Sequence, residues 1–368
     1  MDVLAAANQL EAQGRRVIHM EVGQPSAPTP RAVLAAAQAG LSGRPIVYTE
    51  ALGTDQLRRR IAAHYFDAYG IEVEPERVAV TTGSSAGFTL AFLAAFNPGD
   101  RVGVASPGYP AYRNILRALG LEVVEIDLAP DTGPNITPQQ LREAHQKARL
   151  AGLLVASPAN PTGSMLSTSE LSDLIHTSEE LGIRFISDEI YHGLVYDGTA
   201  ETALRFSKEA IVINSFSKYY CMAGWRVGWM VMPEDLSRPI ERLAQNLYLS
   251  PPDLSQRAAI GAFESIDELD AIKAGYAQSR RLLLDRLPTL GFEDLYPVDG
   301  AFYVYASVAS LSSDSADFAK QLLHQAGVAA TPGLDFDLSR GAGTIRFSFS
   351  GTPAEVAEAI ERMEAWLG

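Results

Sequence analysis

Apolar residues recur along this chain in two patterns, one typical of strands and one typical of helices. Between Val78 and Ser215, short apolar runs rich in β-branched residues alternate with segments of helical spacing. Such runs are typical of strands buried on both faces of a parallel sheet, and the segments between them are typical of crossover helices. We therefore predict a repeated strand-helix unit, which is the pattern of an α/β fold.

The predicted elements of this region follow one another closely. Strands are predicted at 78–81, 101–105, 121–126, 153–156, 183–187 and 210–214, with helices at 84–96, 110–119 and 169–181. Upstream, the spacing predicts helices over 2–14, 28–39 and 53–69 and an extended segment at 17–22. This order predicts a mostly parallel sheet flanked by helices.

The pattern changes after about residue 270. The two segments 301–308 and 343–349 alternate apolar and polar residues like half-exposed strands, and helices are predicted at 272–287, 315–326 and 352–367. This mixture is typical of a smaller α+β unit. At 368 residues the chain also exceeds one ordinary hydrophobic core.

Three parts of the chain follow from these patterns. We expect a large α/β domain over 29–270 and a small α+β domain over 271–368. The N-terminal arm, 1–28, is expected to pack near the small domain.

The charge balance argues against nucleic acid as a partner. Lysine and arginine number 30 against 44 acidic residues, and the formal net charge is −14. Because no basic run interrupts this excess, a nucleic acid would be repelled. The apolar run Leu90–Phe96 is far shorter than a membrane span, so no membrane partner is expected.

The single cysteine and the first residues of the sequence indicate the cellular compartment. Cys221 is the single cysteine, so an internal disulfide is excluded and a reducing compartment is favoured. Met1–Leu4 lacks the basic segment of a secretory signal, and no cleavage pattern marks one. We therefore expect a cytoplasmic protein.

The segment around Lys218 combines an amine with small hydroxyls and an arginine. Lys218 follows the predicted strand 210–214, at the sheet edge where open α/β folds bind ligands. A lysine amine is a good nucleophile only where its surroundings lower the ordinary pKa of about 10.4. Ser215, Ser217 and Arg226 supply hydroxyls and a guanidinium that suit a phosphate.

A phosphate site beside an imine-forming lysine is what pyridoxal 5′-phosphate (PLP) requires. Alone, a Ser-x-Ser-Lys sequence is more typical of a surface lysine in a polar loop. The following Gly224-Trp225-Arg226-Val227-Gly228-Trp229 favours the cofactor interpretation. We therefore predict that Lys218 binds the PLP aldehyde as a Schiff base.

Two further loops after predicted strands could bind the same cofactor. Gly83, Ser84 and Ser85 lie between a strand and a helix, where free backbone donors and the helix dipole favour a phosphate. A plain N-cap by Ser84 explains that sequence equally well. Tyr109, after the next strand, could stack on the pyridine ring, and core packing is the alternative.

An amide and a carboxylate are predicted at the same sheet edge. The proline-rich turn 157–163 places Asn160 there to bind the phenolate oxygen of PLP, with an ordinary Asn-Pro turn as the alternative. Asp188 ends the strand 183–187, and a buried carboxylate there keeps the pyridine nitrogen protonated. A helix cap is the plain interpretation of Asp188.

Arg346 lies in a predicted strand between Ile345 and Phe347. An arginine among apolar residues requires an anion, and the α-carboxylate of an amino acid is one that it binds bidentately. A structural salt bridge is the alternative.

Together these segments resemble the class I and II aminotransferases, which are fold-type I PLP enzymes related to aspartate and aromatic amino acid aminotransferases. Ser157–Gly163 is similar to the family's Asn-Pro-Thr-Gly turn, and Ser215–Trp229 is similar to its Schiff-base lysine segment ending in Gly-Trp-Arg-x-Gly. The resemblance covers nearly the whole chain. It implies a PLP-dependent transferase of amino acid metabolism.

The resemblance also implies a role for each matching residue. Lys218, Asp188 and Tyr191 would be catalytic, with Asp188 on the ring nitrogen, Asn160 and Tyr191 on the phenolate oxygen, and Tyr109 stacked on the ring. The residues implied around the phosphate are Gly83, Ser84, Ser85, Ser215, Ser217 and Arg226.

The same resemblance implies a substrate site and a partner. Arg346 would bind the substrate carboxylate, with Gly23 and Asn160 beside it, and Tyr48 would reach the phosphate of a neighbouring subunit in a homodimer. The implied reaction moves an amino group between an L-amino acid and a 2-oxo acid, and it involves no metal.

Two other functions are compatible with such a scaffold. A PLP-dependent carbon-sulfur β-lyase would release pyruvate, ammonia and a thiol instead of a new amino acid. A non-catalytic PLP-binding sensor module would need an attached basic DNA-binding domain, and no basic stretch of this sequence suggests one.

Overall fold

The computed structural model describes residues 2–128 and 133–368. The α-helices are α1 (Asp2–Ala12), α2 (Arg31–Ser42), α3 (Asp55–Tyr69), α4 (Ser84–Ala95), α5 (Pro110–Ala118), α6 (Pro138–Lys147), α7 (Thr168–Glu180), α8 (Glu234–Leu247), α9 (Asp253–Ile260), α10 (Ile266–Arg286), α11 (Ser315–Gln321) and α12 (Pro353–Leu367). The strands are β1 (Ile18–His19), β2 (Val78–Thr81), β3 (Arg101–Ser106), β4 (Glu122–Asp127), β5 (Gly152–Ala156), β6 (Arg184–Asp188), β7 (Ile211–Ser215), β8 (Gly228–Val231), β9 (Tyr303–Ser307), β10 (Val328–Ala329), β11 (Thr331–Pro332) and β12 (Thr344–Ser348).

Within the described residues, seven strands form one sheet in the order β2-β8-β7-β6-β5-β3-β4. The neighbours from β7 to β4 are parallel, whereas β8 runs antiparallel to both β2 and β7. The prediction of a mostly parallel sheet flanked by helices is therefore confirmed. The alternating pattern does not predict β8, because no crossover helix separates it from the lysine segment.

The strands of this sheet are buried on both faces, as their apolar runs predict. Val212 of β7 packs in one hydrophobic cluster with Leu153, whereas the next residue, Ile213, packs in a second cluster with Leu154. Successive side chains of a strand point to opposite faces, so each run contributes to two layers of core. Helices α3 and α7 pack on one layer, and α4, α5 and α8 pack on the other.

Three of the described helices begin with a capping box. In each, the N-cap hydroxyl oxygen accepts a hydrogen bond from the backbone N–H three residues on. The side-chain oxygen of that residue accepts one from the N-cap backbone N–H. The pairs are Thr137 and Gln140 at α6, Ser167 and Glu170 at α7, and Thr352 and Glu355 at α12.

A further hydrophobic cluster surrounds the antiparallel sheet β11-β12-β9 near the C-terminus. The short strand β1 pairs in parallel with β10, so the N-terminal segment lies against this unit. The expected boundary at residue 270 falls inside α10, and the division into domains stays a prediction. Among the described residues, no helix has both the length and the apolar character needed to cross a membrane.

Candidate active site

Five of the predicted site residues lie at one edge of the seven-stranded sheet. Asp188 ends β6, Lys218 follows β7, and Asn160 lies in the loop after β5. Tyr109 follows β3 and Gly83 follows β2. Because these strands run in the same direction, their carboxyl ends meet at this edge, where α/β sheets bind ligands.

Lys218 contacts the N-terminal segment. Its Nζ donates a hydrogen bond to the carbonyl oxygen of Gly23 at 2.5 Å. Burial and, after it, the positive charge of Arg346 outweigh the opposing charge of Asp188 and lower the pKa of Lys218 to about 8. About a tenth of this amine is therefore uncharged at pH 7, far more than for an ordinary lysine, as a nucleophile or base requires.

Asp188 is a buried carboxylate, 3% exposed, with two hydrogen-bond donors. The Ile190 backbone N–H donates to its Oδ1 at 3.0 Å, and the Tyr112 hydroxyl donates to its Oδ2. Burial raises the pKa of Asp188 and outweighs these two donors and the charge of Lys218, which lower it, so that the pKa is about 6. Asp188 is thus mainly ionised at neutral pH, and among the described residues it has no lysine or arginine in direct ion-pair contact.

The start of α4 and Arg226 form a second feature. Gly83 precedes α4 with φ +76°, and the helix has no side-chain cap there, so the first backbone N–H groups, from Ser84 and Ser85 onward, remain available. A Cβ at position 83 would lie 2.2 Å from Nη2 of Arg226, so only glycine allows this close approach. Arg226 itself is exposed, and its Nη1 donates to the Ala223 carbonyl at 3.0 Å.

Ser215 and Ser217 are buried next to each other. The Ser215 hydroxyl donates to Oγ of Ser217 at 2.8 Å, and the Ser217 backbone N–H donates back to Oγ of Ser215 at 3.1 Å. The Ser215 hydroxyl can donate instead to the Val227 carbonyl at 3.2 Å. When Ser215 donates to Ser217, the Ser217 hydroxyl proton can be donated to an anion.

Arg346 lies between two aromatic rings and is 6% exposed. Its guanidinium carbon is 4.4 Å from the centre of the Tyr303 ring and 4.7 Å from that of Phe336. Nη1 donates to Oδ1 of Asn160 at 2.9 Å, and Nη2 donates to the Glu21 carbonyl. In the described part of the chain Nε has no acceptor, so the guanidinium can still bind an anion.

Gly23 and Tyr191 both meet Tyr303. The hydroxyls of Tyr191 and Tyr303 are 2.7 Å apart, and a Cβ on Gly23 would lie 1.7 Å from the Tyr303 hydroxyl. Position 23 is therefore restricted to glycine by a side chain from β9.

The two remaining tyrosines differ in exposure. Tyr109 is 38% exposed, and its ring meets that of Tyr112 edge-on at 5.3 Å between centroids, so one face stays accessible. Tyr48 is 80% exposed, in the irregular loop 43–54. Of the predicted site residues, Tyr48 is the one that the structure does not bring to Lys218.

Sequence reasoning missed three residues that contact the predicted site. They are Tyr112 on Asp188, and Tyr303 and Phe336 on Arg346. The spacing of the sequence could have identified Tyr112, because it lies three residues after Tyr109 at the start of a helix and such residues share a face. The aromatic rings around Arg346 come from separate segments, and no local pattern links them.

These residues fit PLP. Asp188 is a buried anion that lacks a direct cationic partner among the described residues, as a protonated pyridine nitrogen requires. The α4 N-terminus, Ser217 and Arg226 supply donors for a phosphate, and Lys218 supplies an amine for an aldehyde. This donor set suits no metal, and in the described residues no cluster of histidine, cysteine and acidic side chains could hold one.

Fold and site together define a class of enzymes. The family model "Aminotransferase class I and II" matches residues 15–363. The chain belongs to this family and is an aminotransferase. The prediction of a transferase is therefore confirmed, and neither the β-lyase nor the sensor module is favoured.

Similar proteins make the relationship more specific. The chain is 49% identical over 371 residues to a valine–pyruvate aminotransferase of Mycobacterium tuberculosis, covering 100% of this chain and 95% of the relative. A crystal structure of an aminotransferase from the same organism matches with 48% identity and a TM-score of 0.96, covering 100% of this chain and 95% of that one. The Thermus thermophilus aspartate aminotransferase with maleate matches with 30% identity and a TM-score of 0.93, over 100% of this chain and 96% of that one.

Proposed function

We propose that this aminotransferase binds PLP covalently through Lys218 and moves an amino group between a neutral aliphatic L-amino acid and a 2-oxo acid such as pyruvate. The observation that carries this proposal is the position of the Lys218 amine, which has a lowered pKa and lies at the sheet edge near both Asp188 and Arg346. An anion-binding arginine, a buried carboxylate and a partly neutral amine together suit this chemistry.

When bound, PLP supplies an aldehyde that takes up the amino group and a ring that withdraws electrons from the substrate Cα. Asp188 supports that withdrawal by pairing its negative charge with the ring nitrogen. The Nζ of Lys218 removes the proton from the substrate Cα as a general base, and its pKa of about 8 suits proton transfer near neutral pH.

Arg346 orients the substrate for this proton transfer. Its guanidinium binds the α-carboxylate, and the Tyr303 and Phe336 rings hold the guanidinium plane in place. Asn160, bonded to Nη1, couples the carboxylate site to the cofactor site. Fixing the carboxylate sets the distance from Cα to the lysine amine.

Two observations support a neutral side chain in the substrate. The cations whose charges act on Lys218 are Arg346 and Arg226, and the proposal assigns one to the carboxylate and the other to the phosphate. Arg113, the other buried arginine among the described residues, already donates to the Phe336 and Asp335 carbonyls. The relative from M. tuberculosis is named for valine and pyruvate, which agrees with this substrate class.

A half-reaction screen tests the proposal. Purified protein loaded with PLP is mixed with each amino acid in turn, and both the visible absorbance and the released 2-oxo acid are followed. Valine and alanine should react faster than aspartate and glutamate. If the dicarboxylic acids react fastest, the substrate class is wrong. Pyruvate with ammonia and hydrogen sulfide from L-cysteine would indicate a β-lyase.

A homodimer in the cytoplasm is part of the proposal. Exposed apolar residues cluster on two adjoining segments, with Ile46, Val47 and Tyr48 on one and Leu247 and Leu249 on the other. Such a patch favours a protein partner, and it places Tyr48 where a second copy can meet it. Sedimentation equilibrium should give twice the mass of the chain, and a monomer at micromolar concentration would contradict the dimer.

A further inference from the structure

Asp188 has a hydrogen-bond donor that the proposed mechanism does not use. The Tyr112 hydroxyl donates to Oδ2, and the Ile190 backbone N–H donates to Oδ1. An ionised carboxylate has about four acceptor positions, so these two bonds leave room for a third donor. That third position is available to the nitrogen of a bound pyridine ring.

The side chain of Tyr112 is fixed by packing. It lies on α5 and is 6% exposed, and its ring meets Tyr109 at 5.3 Å and Phe88 at 5.2 Å, edge-on in both contacts. Burial raises the pKa of Tyr112 well above its ordinary range, and the negative charge of Asp188 raises it further. The phenol is therefore protonated at any working pH, and it can act only as a donor toward the carboxylate.

We propose that Tyr112 is a positioning residue that keeps Asp188 ionised and aims its free lone pairs at the cofactor ring, while its own ring supports Tyr109 at the face of that cofactor. The inference rests on the proposed function. A donor to the charged form of a carboxylate lowers its proton affinity, and burial acts in the opposite sense. Tyr112 thus offsets part of what burial does to Asp188.

The substitution Tyr112→Phe isolates this role, because it removes the hydroxyl and keeps the ring against Tyr109 and Phe88. Without that donor the pKa of Asp188 should rise by about one unit. The acid limb of the kcat/KM profile should move to higher pH by the same amount, so kcat/KM should fall about twofold at pH 7 and about tenfold well below pH 6. PLP should also bind more weakly as the pH is lowered.

Tyr65→Phe is the matched control. Tyr65 is 1% exposed, and its hydroxyl accepts a bond from Nε1 of Trp229 at 3.1 Å, so this variant also loses a buried hydroxyl. The hydroxyl of Tyr65 does not contact Asp188. Its removal should lower stability and leave the acid limb unchanged.

The cofactor-free protein provides a readout that does not depend on activity. Folding raises the pKa of Asp188 from 3.8 to about 6, so the folded state binds more protons and the unfolding free energy falls as pH rises through that window. In Tyr112→Phe the fall should extend to higher pH. The other titratable groups facing Asp188 are Lys218, Glu189 and Tyr109, and they are the same in the Tyr65 control.

The outcomes separate the inference from the proposed function. An acid limb in Tyr112→Phe that coincides with that of Tyr65→Phe, with PLP still bound at Lys218 in both, overturns the role of Tyr112 alone. If the unaltered protein does not bind PLP covalently, both proposals fall. If Tyr112→Phe does not fold, 3-fluorotyrosine at position 112 replaces it. As a more acidic donor it should move the acid limb to lower pH, and an unmoved limb overturns the inference.

Discussion

The residues around Lys218 form two sides that are built differently. One side, the sheet-edge side, consists of the loops after β2, β6 and β7 with Gly83, Asp188 and Arg226. The other, the Arg346 side, consists of one arginine between aromatic rings and carbonyl groups of the N-terminal segment. The sheet-edge side offers several short-range donors, whereas the Arg346 side offers a single guanidinium positioned by distant segments.

Under the proposed function, cofactor binding and substrate binding depend on different sides. Variants on the sheet-edge side should change the affinity for PLP, and variants on the Arg346 side should change KM for the amino acid. Lys218 belongs to both, because its amine lies near Asp188 and donates to the Gly23 carbonyl.

The largest effect is expected where the two sides meet. Lys218→Ala removes the amine that binds the aldehyde and moves the Cα proton, so turnover should be lost together with the visible absorbance of covalently bound PLP. Absorbance spectra and a 2-oxo acid assay check this. Lys208→Ala, which removes an exposed lysine, should behave like the unaltered protein. Measurable turnover in Lys218→Ala would remove the assignment.

The next effect tests the Arg346 side. Arg346→Lys keeps the charge and removes the planar fork, and KM for the amino acid should rise roughly tenfold to a hundredfold, because a hydrogen bond to a charged group contributes about 1.5–3 kcal/mol. PLP affinity, measured by equilibrium dialysis, should be unchanged. Arg101→Lys, at an exposed ion pair with Glu122, is the control. An unchanged KM would place the carboxylate elsewhere.

The opposite result is expected on the sheet-edge side. In Gly83→Ala the new Cβ would meet Nη2 of Arg226 at 2.2 Å and displace it, so PLP should dissociate about tenfold more readily while KM changes little. Gly70→Ala is a matched control, since Gly70 also has a positive φ, +66°, but nothing lies within 4 Å of its Cβ position. Both variants should lose about 1 kcal/mol of stability from backbone strain. Equal PLP affinity in the two would contradict the phosphate assignment.

The last prediction concerns a buried acid next to Asp188, and its effect is expected on stability and not on catalysis. Glu189 is 1% exposed, and three donors bind its Oε1, from Ser187, Thr202 and the Ala203 backbone. Burial raises the pKa of Glu189 from 4.5 to about 8, so the unfolding free energy should fall as pH rises through that window.

In Glu189→Gln the side chain at position 189 cannot ionise. The loss of stability between pH 4.5 and about 8 should therefore be smaller than in the unaltered protein. Chemical denaturation at a series of pH values measures it. Glu180→Gln, at an exposed pair with Arg142, should leave the pH dependence unaltered. If Glu189→Gln shows the full loss, the acid is ionised throughout.

Much of the sheet-edge side could be predicted from the sequence. Lys218, Asp188 and Asn160 each follow an apolar run, and parallel strands bring their carboxyl ends to one edge, so the chain order alone predicts that these residues lie together. The glycine at 83 has a local reason as well, because it precedes a helix in a left-handed conformation. The family resemblance rests on these same loops.

The Arg346 side could not be predicted in the same way. Arg346 was identified as an anion-binding residue, but its partners Tyr303, Phe336 and the Glu21 carbonyl come from separate segments, the last of them 325 positions away. The requirement for glycine at position 23 has its cause in the Tyr303 hydroxyl. Such contacts depend on how packed segments meet in space.

The α/β architecture, the family and the set of loops that carry lysine, aspartate, asparagine and arginine can be read from the sequence, because strand periodicity and turn chemistry are local. The hydrogen bond from Tyr112 to Asp188 and the bonds from Lys218 and Arg346 to N-terminal carbonyls become visible only in the folded chain. Hydrogen bonds between distant segments are selected by close packing of the whole core, which no short stretch of sequence encodes.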